Sequence, residues 1–366
     1  MLPMWAPEAS ALEWRVSLPP EYGKLAGLVL PAVAANKIYA ELGTLLHERG
    51  PDGQLVVTAT NLSLWLSVSV PVAWPAEFRF CVLPLMQSVA TMLAPKPLYL
   101  AVDRLHVYLR DGMEFMCRVK TLDAEAFPKK NKYDGWRSQT TLGWLRLVDR
   151  THFAAGKEDG NSLIHAMSND AFATDGFLLS LAKAASVDSM RLPTDAVQWI
   201  VRNARDLPDD TALNLAYSSD DLHCRIEVAH LAAESVLSAA RTPDIDIFRN
   251  AQPSMALKMP GLVGHQIVRL CRIAERCGAK IGVFCDDGAG NLMFYDRDQT
   301  ISEVFAVAPP APAGLRLVAL LDNIRRAFQA VDCTSDVLLC KSTSVTNAVW
   351  LEDAASRHWF VLDKQN

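Results

Sequence analysis

The chain of 366 residues has no long hydrophobic run. Its longest stretch without a polar side chain, Val304–Leu315, is broken by Pro309, Pro310 and Pro312, whereas a bilayer-spanning helix needs about 20 apolar residues. Glu8, Glu13 and Arg15 lie among the apolar residues of the first segment, so it does not read as a signal peptide. Membrane and secreted proteins are set aside, and a cytoplasmic protein is expected. The eight cysteines form no CxxC pair, and Cys271, Cys277 and Cys285 lack zinc-ribbon spacing. Reduced thiols inside apolar segments are expected, with no metal and no cofactor.

Enzyme signatures are missing as well. There is no GxSxG, no GxxxxGK[ST], no HExxH and no GxGxxG. Cys285–Asn291 carries Asp286 and Asp287 but lacks the spaced oxygen ligands and closing Glu of a calcium loop. A hairpin turn is expected there. His223 and Cys224 sit in an alternating segment and read as neighbouring strand residues, one exposed and one buried. Asp175, in the step Thr174-Asp175-Gly176, reads as a turn residue and not a catalytic carboxylate.

What is present is repetition. Half the residues are apolar and 21% are charged, the balance of a globular chain with room for several cores. PLYLAVDRLHVYLR (97–110) and ALNLAYSSDDLHCRIEV (212–228) each read strand, Asp-containing turn, then strand opening Leu-His. A third, fainter copy covers Asp336–Ser342 and Asn347–Asp353. Helix-like segments precede all three: 83–94, 194–206 and 314–330. An earlier helix and strand group also recurs. The helices are 24–37, 142–153 and 260–277, and the strands that follow are 53–70, 162–181 and 281–307. A fixed offset of roughly 115 residues is the mark of repeated units. The expected fold is α+β, with three tandem modules of two helices backed by antiparallel sheets. Pro- and charge-rich loops at 127–135 and 243–253 suggest domains 1–135, 136–250 and 251–366.

Charge is segregated in the same way. The chain carries −5, with 36 basic and 41 acidic residues. The six helix candidates hold twelve basic residues and five acidic ones, a sum of +7, which leaves −12 for the rest. Arg269, Arg272 and Arg276 fall at i, i+3 and i+7 on one stripe, extended backwards by His265. Arg146 with Arg150, and Arg202 with Arg205, are also placed on single faces. Basic helix faces on an acidic body suit a polyanion held through phosphates rather than base edges.

Several segments are similar to the bacterial DNA polymerase III β subunit, the sliding clamp. In order along the chain they are LVVTATNLSLWLSVSVPV (55–72), VKTLDAEAFPKKNKYDGW (119–136), FATDGFLL (172–179), TPDIDIF (242–248) and VWLEDAASRHWFVL (349–362). The resemblance spans nearly the whole chain. It implies a non-enzymatic, ring-forming homodimer of clamp modules that encircles double-stranded DNA without reading its sequence. It also implies partners, a DNA polymerase and clamp-loader subunits, held through short peptides.

The family's peptide pocket maps to Thr174, Gly176, Phe177, Leu178, Leu179, Pro243, Phe248 and Leu362. DNA-facing positions map to Lys37, Arg146 and Arg202. Helix position adds Lys24, Arg150, Arg205, Arg269, Arg272, Arg276 and Arg325. The ring interface is expected at Phe115, Met116, Cys117 and Val119 of one copy and near Ile273 and Ala274 of the other, with Met116 and Val119 exposed in a monomer.

The chain departs from the family pattern in five places. Phe177-Leu178 stands where the family often has His-Arg. Asp363-Lys364-Gln365-Asn366 replaces a hydrophobic terminus, Leu85-Met86 and Thr194-Asp195 replace basic helix starts, and 156–161 is acidic. These departures leave a second reading open: a clamp-fold adaptor that no longer closes a ring on DNA.

Overall fold

The structure is a computed structural model describing residues 16–363, except 35–38, 97, 104, 112–115, 134, 137, 157–162, 169, 185, 187 and 238–241. It divides into two units, one of residues 1–142 with 195–236 and the other of residues 143–194 with 237–366.

The first unit is built on a twelve-stranded sheet. In spatial order its strands are Val16–Leu18, Leu98–Val102, His106–Arg110, Met116–Leu122, Phe80–Val82, Leu45–Arg49, Gln54–Thr60, Leu64–Ala73, Leu231–Val236, His223–Val228, Ala212–Tyr217 and Ser138–Thr141. All of its pairings are antiparallel. Three α-helices are described in this unit: Tyr22–Gly27, Leu85–Leu93 and, from Asp195 onward, Thr194–Asn203. The first two pack closely. A Cβ on Gly23 would stand 2.5 Å from the Thr91 amide nitrogen, and Gln87 Nε2 donates to the Gly23 carbonyl at 2.9 Å.

The second unit holds an eight-stranded and a four-stranded sheet. The eight-stranded order is Met190–Pro193, Leu163–Ala166, Ala171–Thr174, Leu178–Ala182, Ser356–Val361, Ala348–Glu352, Val337–Lys341 and Met255–Met259. The four-stranded order is Ser302–Phe305, Leu292–Asp296, Ile281–Asp286 and Arg316–Leu320. The helices Leu142–Asp149, Gly261–Arg276 and Leu321–Ala330 belong here, with the short turn Asp246–Arg249. Gly261–Arg276 buries Val263, Gly264, Ile267, Val268, Cys271 and Ala274 on one stripe. Its first residue must be small, because a Cβ on Gly261 would collide with the Cys333 carbonyl oxygen.

In chain order the described strands fall eight before 123, eight between 138 and 236, and eight after 254. The hairpins expected at 97–110 and 212–228 form as read, and so do the third-copy strands. The segments 162–181 and 281–307 each contain three strands.

Two helix expectations are corrected. Among its described residues the segment 24–37 is α-helical only to Gly27, and Pro31 then sits in a short 3-10 turn that closes on extended Val33. The segment 314–330 opens as a strand, Arg316–Leu320, before its helix begins at Leu321. Leu317 and Ala319 are buried while Arg316 and Leu320 are exposed, the two-residue period of a strand.

Candidate functional site

The second unit contains a cavity of about 320 Å³, within the usual range for ligand sites. Four segments build it, together with Ala348 of the strand Ala348–Glu352. The first is the turn Thr174–Leu178. Asp175 Oδ1 accepts from the amides of Phe177 at 2.9 Å and Leu178 at 2.7 Å. Thr174 Oγ1 donates to the Leu178 carbonyl at 2.6 Å. Gly176 has φ of +88°, a left-handed backbone that glycine adopts without strain. The Asp-Gly step is therefore a turn, as its sequence suggests.

Strand Leu178–Ala182 then lies against Ser356–Val361, pairing Leu178 with Phe360 and Leu179 with Trp359. That register carries Trp359, Phe360 and Val361 into the lining. The fourth segment, Pro243–Phe248, brings Pro243, Asp244, Ile245 and Phe248. It is fixed through Arg249, whose Nε and Nη2 donate to the two carboxylate oxygens of Asp170 at 2.7 and 2.9 Å. Asp170 and the neighbouring Asp246 raise the Arg249 pKa, so this clamp stays charged.

The lining is apolar apart from Thr174 and Asp244. Leu178, Leu179, Ile245, Ala348, Trp359 and Phe360 are buried, whereas Phe177 is 61% exposed at the rim. Phe248 meets Trp359 edge-on, and Trp359 stacks on Trp350 with centroids 4.3 Å apart. Such a surface takes aliphatic and aromatic anchors.

Seven of the eight residues expected in a pocket meet here: Thr174, Gly176, Phe177, Leu178, Leu179, Pro243 and Phe248. Leu362 does not. It lies beyond the last strand residue, its amide donating to the Asn347 carbonyl at 2.7 Å, and Val361 lines the cavity instead. Sequence reading missed Asp244, Ile245, Ala348, Trp359 and Phe360 as well as Val361. The alternation in the terminal segment marks a strand there but not the wall it joins.

Under the cavity floor lies a polar network. Ser180 Oγ and His358 Nδ1 are 2.6 Å apart, and His358 Nε2 is 2.8 Å from Ser356 Oγ. Burial pushes the His358 pKa down to about 3, and Arg150 adds to this against the opposing pull of Asp353. Asp353 is itself buried. That burial disfavours its charged form, but the amides of Asp332 and Ala355, the Arg150 guanidinium and the Ser356 hydroxyl outweigh it. Its carboxyl is held below the ordinary range.

The basic residues divide into free and committed. Arg269, Arg272 and Arg276 are exposed on one stripe of the helix Gly261–Arg276. Lys24 and Arg202 are exposed, as is Arg205, which has an interaction of its own. Arg146 is half-buried and engaged. Lys37 lies outside the described residues. The expectation that Arg150 and Arg325 present open charge is corrected. Arg150 lies past the helix end and pairs with Asp353 at 2.7 Å. Arg325 pairs with Glu275 at 3.1 Å and with Asp322. Arg150 is spent on a buried carboxylate, the Asp353 side chain being 1% exposed.

Strand Met116–Leu122 pairs along 116–120 with His106–Arg110. On its other side only Thr121 and Leu122 pair, with Phe80–Val82. Among the described residues, 116–120 therefore leave one backbone edge open. Phe115 lies outside the described residues, Met116 belongs to this strand, and Cys117 is half-buried. Val119 is 3% exposed, so its expected exposure is corrected: alternation turns it inward. In the second unit Ile273 is exposed, while Ala274 is buried on the inner stripe of its helix and does not offer its side chain to a partner.

Asp287 Oδ1 accepts from the amides of Ala289 and Asn291, so 285–291 is the hairpin turn expected. Among the described residues no group of three or more His, Cys, Asp or Glu is placed to hold a metal ion. No described helix is long and apolar enough to cross a membrane.

No protein-family model and no curated protein matches the chain. Solved structures do. The DnaN sliding clamp (DNA polymerase III subunit beta) of Pseudomonas aeruginosa, bound to griselimycin, aligns with TM-score 0.77 at 16% identity, covering 95% of this chain and 99% of that one. The beta subunit from the DNA polymerase of Streptococcus pyogenes aligns with TM-score 0.80 at 12% identity, covering 96% and 100%. The C. crescentus beta sliding clamp, with polyethylene glycol at a putative beta-motif tethering region, aligns with TM-score 0.77 at 15% identity, covering 96% and 99%. The chain has the fold of the bacterial β sliding clamps.

Proposed function

We propose that this chain, with its sliding-clamp fold, is a processivity factor. Two copies join head to tail, enclose duplex DNA and tether a polymerase or clamp-loader subunit through a short peptide. The observation that carries the reading is the alignment of nearly the whole chain with the whole of several solved clamps. The strand tally supports three modules, 1–135, 136–250 and 251–366, with eight described strands in each.

The role needs no chemistry. A closed ring holds DNA by topology, and the helix arginines supply counter-charge to phosphates without reading bases. The cavity, lined by Leu178, Leu179, Phe248 and Trp359, suits Leu and Phe anchors from a partner's tail. Tethering raises the partner's effective concentration at the primer end. The working place of such a protein is the cytoplasm, beside the DNA.

Two tests apply. Purified protein loaded on a nicked circular plasmid should stay bound through gel filtration and be lost once the plasmid is linearised; equal loss from both forms refutes encirclement. A fluorescein-labelled peptide with Leu and Phe anchors should bind the full chain in an anisotropy titration; no binding refutes the cavity's role. The internal commitment of Arg150 and Arg325, with the uncharged helix Leu85–Leu93, favours one alternative, a clamp-fold adaptor that binds peptides without closing on DNA. That protein fails the first test and passes the second.

A further inference from the structure

The cavity's rim is held from outside the cavity. While Asp175 Oδ1 accepts the amides of Phe177 and Leu178, its Oδ2 accepts from Arg326 Nη1 at 2.8 Å. Arg326 does not line the cavity; it projects from the helix Leu321–Ala330. The same guanidinium donates through Nε to the Phe153 carbonyl at 2.9 Å. One side chain thus ties three segments together: the turn His152–Ala154, the turn at Asp175, and its own helix.

The geometry demands arginine. Carboxylate and carbonyl are reached by different nitrogens of one planar fork, which a single ammonium cannot match. Both partners are shielded, with side chains 23% and 14% exposed, so water and salt screen this pair less than a surface pair. Phe177 is 61% exposed. Its ring stands where the turn's backbone puts it, and Val361 in turn donates its amide to the Phe177 carbonyl at 3.0 Å.

We propose that Arg326 is a positioning residue for the cavity. It orients the Asp175 carboxylate, which fixes the amides of Phe177 and Leu178 and so sets the rim before a ligand arrives. This inference rests on the reading of the cavity as a peptide site. A rim ordered in advance spares the ligand the ordering cost, which appears as tighter binding. The helix Leu321–Ala330 also packs on the turn His152–Ala154, so loss of Arg326 should spare the fold and leave the rim free to sample other positions.

The test titrates the labelled Leu/Phe peptide against the full chain and its variants, all below their melting temperatures. Asp175→Asn keeps an oxygen for the two amides but removes the charge that Arg326 answers. Arg326→Met removes the fork, and Arg326→Lys keeps the charge without it. Asp175→Asn and Arg326→Met should each weaken binding roughly tenfold, the effect of losing one charge-assisted contact. The double variant should be no weaker than either single, and lysine should not restore affinity.

A merely structural role lowers the melting temperature and leaves the affinity of folded protein unchanged; that result overturns the inference. So does binding by the unaltered chain with equal affinity in Asp175→Asn and Arg326→Lys. Absence of binding by the unaltered chain overturns the cavity reading itself, and this inference with it.

Discussion

Phe248 stands edge-on to Trp359, ring centroids 5.3 Å apart and planes at 74°. The two come from segments more than a hundred residues apart, and their contact forms one wall of the cavity. Trp359 is buried and belongs to the core, whereas Phe248 is only half-buried. Phe248 is therefore the side chain that can be removed without dismantling the unit.

Phe248→Ala should weaken binding of a Leu/Phe peptide at least tenfold by anisotropy, because it deletes an aromatic wall of the site. Leu179→Ala added to it should abolish binding but also destabilise the unit by about 2–5 kcal/mol, since Leu179 is a core residue. Unchanged affinity in the single variant contradicts the assignment of the cavity.

Arg269→Glu, Arg272→Glu and Arg276→Glu together should abolish salt-sensitive retention on DNA. The fold should be untouched, because the three side chains are exposed and, among the described residues, take no internal partner. Circular dichroism and melting checks the fold, and retention across a salt series checks the function. Retention equal to that of the unaltered chain contradicts the placement of this helix against DNA.

Asp353 accepts the amides of Asp332, Ala355 and Ser356 besides Arg150. Asp353→Ala should cost about 3–5 kcal/mol, as expected when one partner of a buried ion pair is removed. Arg150→Met should cost less, because the carboxylate keeps its three amides and the Ser356 hydroxyl. Urea unfolding midpoints of the two variants give the comparison; equal losses would show that the amides carry little of the stabilisation.

Acid should destabilise the protein well above the carboxylate range. Burial lowers the pKa of His47 to about 4, and of His165 to about 4, while His358 falls to about 3. Each stays neutral in the folded chain while the unfolded chain takes up a proton near pH 6.5. Below that pH the unfolded state binds more protons, so stability falls as pH drops towards the folded values. The slope is at most about 1.4 kcal/mol per pH unit for each histidine. Asp353, with its depressed pKa, adds stability that is lost only at lower pH, as the solution passes its folded value. Urea midpoints at pH 7, 6 and 5 should fall steadily; a flat profile contradicts the burial of these rings.

Much of this architecture was legible in the chain. The helix Gly261–Arg276 announces itself by period, because its buried and arginine-bearing stripes alternate at 3.6-residue spacing. The hairpins at 97–110 and 212–228 are equally plain, with two-residue alternation on either side of an Asp turn. One expectation failed where an element changed type without a breaker. Arg316–Leu320 runs straight from strand into helix, so one apolar segment looked like a single helix.

Pairing across the chain was the other gap. No local signal tells that Arg150 answers Asp353, or that Arg325 answers Glu275. A count of helix arginines therefore overstates the charge left for DNA. The cavity was found because its turn and loop carry recognisable residues. Trp359 and Phe360 were missed because their place in the wall depends on a pairing with Leu178–Ala182 that sequence does not display.

Ring closure is tested by mass in solution, measured by light scattering behind size exclusion over a dilution series. A closed ring of two copies gives twice the chain mass of 40.3 kDa, persisting on dilution. A monomer at every concentration would contradict the closed ring and leave the peptide-binding adaptor as the better description.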